Sequence, residues 1–171
     1  MNDATRTVLI VEDEPDVRLY LRTALEDAGF NVLTAVDGEQ GLELVRREKP
    51  DLISLDLMLP KKSGPRIFHE IKRDQELANI PILIVTAHAK SGEMRGDLAA
   101  MLESSTMSGP GGYLEKPVKA SAYVQAVRRA LGMPEVATDG DKVSLKEELS
   151  ELMRKADPEA LRKALEALKD K

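Results

Sequence analysis

The chain has 171 residues, a net charge of -5 and no cysteine, which fits one domain of ordinary size with an appendage. The lack of cysteine excludes disulfides, thiolate nucleophiles and cysteine-based zinc sites. The acidic charge and the aromatic content of 3% provide no basic surface or stacking platform, so we expect no nucleic-acid partner. No apolar run approaches the roughly 18 residues of a membrane span, and the first residues lack a secretory pattern, so we expect a cytoplasmic protein without membrane contact.

The first half of the chain alternates β-prone runs with helical periodicity. Thr7 to Val11 predicts the first strand, and Pro15 is pre-organised to begin a helix that ends at Gly29. Asn31 to Val36 predicts the second strand. Asp37 then predicts the N-cap of a second helix. The alternation indicates that strand and helix follow each other as repeating units.

The second half continues this alternation. The run that begins at Asp51 predicts a third strand, which ends at Asp56. Ile82 to Val85 and Tyr113 to Glu115 predict the fourth and fifth strands, and a last helix is expected from Ala120 to Leu131. Such βαβ units pair their strands in parallel and cover the sheet on both faces. We therefore predict an α/β fold, a doubly wound five-stranded parallel sheet of the flavodoxin-like order.

Polar side chains follow four of the five predicted strands. Glu12 and Asp13 follow the first strand, Asp56 the third, Thr86 the fourth and Lys116 the fifth. The carboxyl ends of parallel strands meet at one edge of a sheet, and open α/β sheets bind ligands there. We expect these five side chains to lie close together.

This set of side chains has a clear chemical interpretation. Three neighbouring carboxylates repel one another, and a hard divalent cation such as Mg²⁺ relieves that repulsion through oxygen ligands. A carboxylate such as Asp56 can also act as a nucleophile and form an aspartyl phosphate. Thr86 can donate a hydrogen bond to a phosphoryl oxygen, and Lys116 can supply a compact positive charge. The pattern indicates a site that accepts a phosphoryl group.

Four motifs in order resemble those of one known family, the receiver domain of bacterial two-component response regulators. The resemblance covers roughly Thr5 to Leu131, and the ordered set is far more specific than any single motif. The motifs are Val8 to Pro15, Asp56 to Pro60 with Ser63-Gly64, Thr86-Ala87 and Tyr113 to Pro117.

The resemblance implies a role for each matching acid. Asp56 would be the phosphoacceptor. Glu12 and Asp13 would hold Mg²⁺ together with Asp56 and the backbone carbonyl of Met58. The phosphoryl donor would be a phosphohistidine on a sensor histidine kinase or a phosphotransfer protein.

The resemblance also implies a conformational response. Thr86 and Lys116 would contact the phosphoryl group, and Thr86 and Tyr113 would move on activation. The surface that changes, called the output face, would then bind a downstream protein. A second copy of this chain could take that place and form a homodimer. A cis peptide before Pro117 is also implied by the family.

Two places depart from the family pattern. Thr86 and Lys116 are 30 positions apart, several more than usual, and we assign the excess to a loop at Ser104 to Gly112. Lys62 stands where receivers often carry an apolar residue.

His88 could border the phosphoryl pocket, but an exposed loop histidine is the interpretation we favour.

The C-terminal part follows a different pattern. We predict a receiver domain over residues 1–133, a linker over 134–143 and a helical hairpin over 144–171, with Ser144 and Glu147 as a capping box. The apolar stripes of such short helices need a partner, either each other, the receiver or another protein. From Asp141 onward there are 8 basic and 8 acidic residues, so a DNA-binding hairpin is not expected.

Three functions compete at this point. A stand-alone response regulator that accepts phosphoryl on Asp56 is the leading hypothesis. A haloacid-dehalogenase-like phosphatase would also use an aspartate nucleophile, but it requires an acid at the position that Met58 occupies. The third is a helical-hairpin adaptor or dimerisation protein that the receiver gates. We therefore expect a phosphoacceptor without independent substrate turnover.

Overall fold

The computed structural model describes residues 5–87 and 112–135. The chain divides into two units, residues 1–135 and residues 136–171, and every described residue belongs to the first. Most of the predicted linker and the whole predicted hairpin therefore lie outside the described residues. The same holds for His88 and for all of the predicted loop at 104–112 except Gly112.

Five strands form one parallel sheet, in the order β2-β1-β3-β4-β5. This is the doubly wound, flavodoxin-like arrangement that the alternation of strands and helices predicted. The strands are β1 (Thr7–Val11), β2 (Asn31–Ala35), β3 (Leu52–Leu55), β4 (Ile82–Thr86) and β5 (Tyr113–Glu115).

Four helices belong to the described part of the chain. They are α1 (Pro15–Asp27), α2 (Gly38–Glu48), α3 (Gly64–Arg73) and α4 (Ala120–Ala130). Two predicted helix signals are confirmed, because Asp37 accepts a hydrogen bond from the Gln40 amide and Gly29 has a φ of 87° after α1. No helix in the described ranges is long and apolar enough to cross a membrane.

The helices cover both faces of the sheet. One apolar core lies between the sheet and the pair α2 and α3, and it includes Val45 and Phe68. The other lies between the sheet and the pair α1 and α4, and it includes Leu25 and Tyr123. Burial on both faces explains why the strands are apolar runs instead of alternating polar and apolar residues.

The strand register fixes which residues meet at the carboxyl edge. Val11 of β1 pairs with Leu55 of β3, and Thr86 of β4 pairs with Glu115 of β5. Strand β2 ends at Ala35, one residue earlier than predicted, and the amide of the next residue, Val36, donates to the Gln40 side chain at 2.8 Å. The residues that follow β1, β3 and β5 thus emerge at the same edge of the sheet.

Candidate functional site

Three carboxylates converge at the carboxyl edge of the sheet. Oxygen atoms of Glu12, Asp13 and Asp56 all lie within 4.8 Å of one another. Glu12 and Asp56 are only 1% and 5% exposed, whereas Asp13 is open to solvent. Parallel pairing of β1 with β3 brings these acids together, as the sequence predicted.

Lys116 provides the positive charge beside these acids. Its Nζ lies 2.6 Å from Glu12 Oε2 and 2.8 Å from Asp56 Oδ2, and its side chain is 12% exposed. Burial alone would lower the pKa of Lys116, but the hydrogen bonds to Asp56 and Glu12 outweigh burial, so the pKa is raised. Lys116 therefore remains a cation beside the predicted phosphoacceptor. The peptide bond between Lys116 and Pro117 is cis.

Glu12 is destabilised as a charged group despite this cation. Burial raises the pKa of its carboxyl, repulsion from Asp56 acts in the same direction, and the hydrogen bond from Lys116 opposes both. An additional cation would relieve the repulsion between the acids. Oxygen donors of this kind, one of them solvent-exposed, fit Mg²⁺, which keeps several of its own waters.

Thr86 ends β4 at the same edge. Its side chain is completely buried, and among the described residues its hydroxyl has no hydrogen-bond partner. Buried hydroxyls are normally paired, because an unpaired polar group costs free energy. The next residue, Ala87, is small and exposed.

The loop between β3 and α3 begins directly after Asp56. The Met58 amide donates to Asp56 Oδ1 at 3.0 Å, which fixes the carboxylate relative to the loop. The Met58 side chain is 53% exposed. Gly64 closes the loop, since a Cβ at this position would lie 2.4 Å from the backbone oxygen of Asp56. A side chain at Gly64 would thus displace the end of β3, where Asp56 lies.

Tyr113 is the first residue of β5, at the end of the strand away from the carboxyl edge. It pairs with Ile84 at the start of β5, two residues before the level of Thr86, and it is 37% exposed. The structure therefore brings Glu12, Asp13, Asp56 and Lys116 together and leaves Tyr113 at the periphery.

Arg18 is a supporting residue that the sequence did not suggest. Its guanidinium donates from α1 to the backbone oxygens of Glu12 and Asp13, at 2.8 Å and 3.1 Å. These bonds fix the turn that carries both acids. The only signal in the sequence is a basic residue one turn into α1, which is a common feature of exposed helix faces.

Comparison with known proteins identifies related sequences and structures. The family described as the response regulator receiver domain matches residues 8–128. Among curated proteins, the polar-differentiation response regulator DivK of Brucella ovis is 34% identical over 129 residues, which cover 75% of this chain and 98% of DivK.

Solved structures show the same relationship. The chemotaxis protein CheY4 of Vibrio cholerae aligns with a TM-score of 0.64 and 27% identity, over 74% of this chain and 99% of CheY4. The receiver domain of the sensor histidine kinase PA1611 from Pseudomonas aeruginosa aligns with a TM-score of 0.64 and 29% identity, over 75% of this chain and 99% of that domain. That structure has a magnesium ion coordinated in its active site cleft.

Proposed function

Because this chain belongs to the receiver domain family of two-component response regulators, we propose that Asp56 is its phosphoacceptor. The observation that carries this proposal is the position of the Asp56 carboxylate, buried within 4.8 Å of two other acids and 2.8 Å from Lys116. A nucleophilic carboxylate next to a fixed cation is what transfer to an aspartate requires.

In the proposed reaction, an Asp56 oxygen attacks the phosphorus atom of a phosphohistidine. The new bond joins this oxygen to phosphorus, the bond from phosphorus to the imidazole nitrogen breaks, and the imidazole takes up a proton. Lys116 is placed to balance charge on the transferred group. The unpaired hydroxyl of Thr86 would gain an acceptor in a phosphoryl oxygen, while Tyr113 is the proposed second residue of the conformational switch.

Magnesium is the proposed cofactor. Glu12, Asp13, Asp56 and the backbone carbonyl of Met58 would hold it, and the ion would neutralise the phosphoryl oxygens. The oxygen donor set and the raised pKa of Glu12 support a cation at this place. The site has no second acid where Met58 stands, so we propose acceptance and release of one phosphoryl group and no turnover of phosphate esters.

The experiment is phosphorylation by a small-molecule acyl phosphate in the presence of Mg²⁺, followed by intact mass. We expect the wild-type protein to gain one phosphoryl group, Asp56→Asn to gain none, and chelation of the metal to abolish the gain. Asp51→Asn is the matched control, because Asp51 precedes the same strand and pairs with Arg6 at 2.8 Å. Equal labelling of wild type and Asp56→Asn would overturn the assignment.

For partners we propose a sensor histidine kinase or phosphotransfer protein as donor, in the cytoplasm, and a downstream protein or a second copy of this chain as the target. The support is family membership. Light scattering with Mg²⁺ and beryllofluoride, which mimics a phosphoryl group on Asp56, tests the second copy directly. A doubled mass would support a homodimer, and an unchanged mass would contradict it.

A further inference from the structure

The loop between β3 and α3, residues 57–63, connects the predicted nucleophile to α3. One backbone hydrogen bond joins the two ends of the loop, since the Gly64 amide donates to the Leu57 oxygen at 3.1 Å, and a second closes a tight turn in its middle, where the Lys62 amide donates to the Pro60 oxygen at 2.8 Å. Met58, whose carbonyl is the proposed metal ligand, lies inside the loop that the first bond closes. The contacts that hold the middle of this loop therefore affect the proposed metal site.

An ion pair attaches the middle of the loop to α2. Lys61 Nζ lies 2.6 Å from Asp37 Oδ2, and the other oxygen, Oδ1, accepts from the Gln40 amide at 2.9 Å. The Asp37 side chain is 8% exposed, whereas that of Lys61 is 59% exposed. The Gln40 amide, and then Lys61, lower the pKa of Asp37, so both members of the pair are charged at neutral pH. One carboxylate thus joins the start of α2 to the loop.

The backbone of the loop also touches the start of α2. A Cβ added at Gly38 would lie 2.1 Å from the Lys62 carbonyl oxygen and 2.6 Å from the Ile67 side chain. Lys61 itself has a φ of 63°, a left-handed conformation that side-chain-bearing residues rarely adopt. A backbone held in this conformation requires surrounding contacts that keep it there. The contacts to Asp37 and Gly38 meet this requirement.

We propose that the ion pair between Asp37 and Lys61 positions the loop for metal binding, by holding the Met58 carbonyl towards the acids. This inference rests on the proposed function of the site. Neither Asp37 nor Lys61 belongs to the proposed ligand set, so both act through the loop as positioning residues. A loop that is already ordered loses less conformational entropy when the metal binds. The affinity of the site for Mg²⁺ is higher for that reason.

The test is a Mg²⁺ titration of the full chain, followed through the amide resonances of the loop. We expect Lys61→Met to weaken Mg²⁺ binding roughly two- to fivefold, the range of an exposed ion pair, and Lys61→Arg to restore most of the affinity. Asp37→Asn retains the acceptor for Gln40 but loses the charge, so it should weaken binding as Lys61→Met does. The double substitution should weaken binding no further than the stronger single one.

Lys49→Met is the matched control. Lys49 also has a positive φ, of 44°, and also forms an ion pair, with Glu76, but it lies at the end of α2, away from the acids. Its substitution should leave the Mg²⁺ affinity unchanged. Without metal, hydrogen exchange at the Lys62 and Gly64 amides should accelerate in Lys61→Met and stay unchanged in Lys49→Met.

The outcomes separate this inference from the proposed function. A wild-type protein without saturable Mg²⁺ binding overturns the proposed function and the inference with it. A wild-type protein that binds Mg²⁺ with the same affinity as Lys61→Met overturns only the inference. Additive effects of the two single substitutions would overturn it as well, because they would show that the two residues act independently.

Discussion

Glu12 belongs to the proposed metal site, but its charge lowers the stability of the metal-free fold. Its folded pKa is raised, first by burial, so the folded protein binds a proton there more tightly than the unfolded chain does. The charged carboxylate therefore destabilises the metal-free fold above the folded pKa, and this cost disappears as the pH falls towards 4.5, the ordinary value. The proposed Mg²⁺ would offset this cost, because Glu12 is one of its proposed ligands.

Replacing this charge should stabilise the metal-free protein. We expect Glu12→Gln to have a higher free energy of unfolding than the wild type at neutral pH, with the difference shrinking as the pH falls towards 4.5. Denaturant unfolding in the presence of a chelator measures this. The exposed Glu43→Gln is the control and should show no such gain. A less stable Glu12→Gln at neutral pH would mean that the bond to Lys116 outweighs burial.

The sequence predicted which side chains would meet at the site but not which contacts hold them there. The motifs identified Glu12, Asp13, Asp56 and Lys116, because strand ends of a parallel sheet share one edge. That Lys116 bridges two of the acids, at 2.6 Å and 2.8 Å, depends on side-chain conformations that residue types do not determine. The hydrogen bonds that Arg18 donates to the backbone of Glu12 and Asp13 were not predicted for the same reason.

Helix α2 and the loop 57–63 are in close contact near the site. The Lys62 carbonyl occupies the space that a Cβ at Gly38 would need, 2.1 Å away. Helix propensity alone would favour alanine over glycine at this position. The tertiary contact reverses that preference.

Gly38→Ala should therefore destabilise the protein by about 1 to 3 kcal/mol, the usual cost of overpacking. The neighbouring Glu39→Ala is the control, since Glu39 is exposed on the same turn and should change stability by less than about 0.5 kcal/mol. Thermal or denaturant unfolding distinguishes the two. Equal stability of Gly38→Ala and the wild type would show that the loop can move away from α2 at little cost.

The elements themselves were largely predictable, since apolar runs, Pro15 at a helix start and Asp37 as a cap are local signals. Contacts between elements were not. No sequence pattern linked Asp37 to Lys61, which lies 24 positions further on. Their proximity follows from the order of the strands and from the packing of α2 against the sheet.

For the described domain as a whole, two apolar cores on opposite faces of the sheet hold the strand ends in register. Tyr123 of α4 is the largest of the fully buried side chains, and it packs in the core between the sheet and α1. Burial raises the pKa of its hydroxyl. The aromatic ring thus joins α4 to the apolar face of the sheet.

Truncation of this side chain should destabilise the whole domain. We expect Tyr123→Ala to cost about 3 to 5 kcal/mol, as for other large buried aromatics. Tyr20→Ala is the matched control: Tyr20 is 47% exposed on α1 and should cost far less. Equilibrium unfolding gives both values, and a loss below about 1 kcal/mol for Tyr123→Ala would contradict the packing described for this core.

We propose that this domain carries a phosphoryl group on Asp56, and the most direct test identifies the modified residue. The labelled wild-type protein is treated with borohydride, which reduces an acyl phosphate to an alcohol, and its peptides are sequenced by mass spectrometry. We expect homoserine at position 56 and at no other acid. Homoserine at Asp13 or at another acid, with Asp56 unchanged, would contradict it.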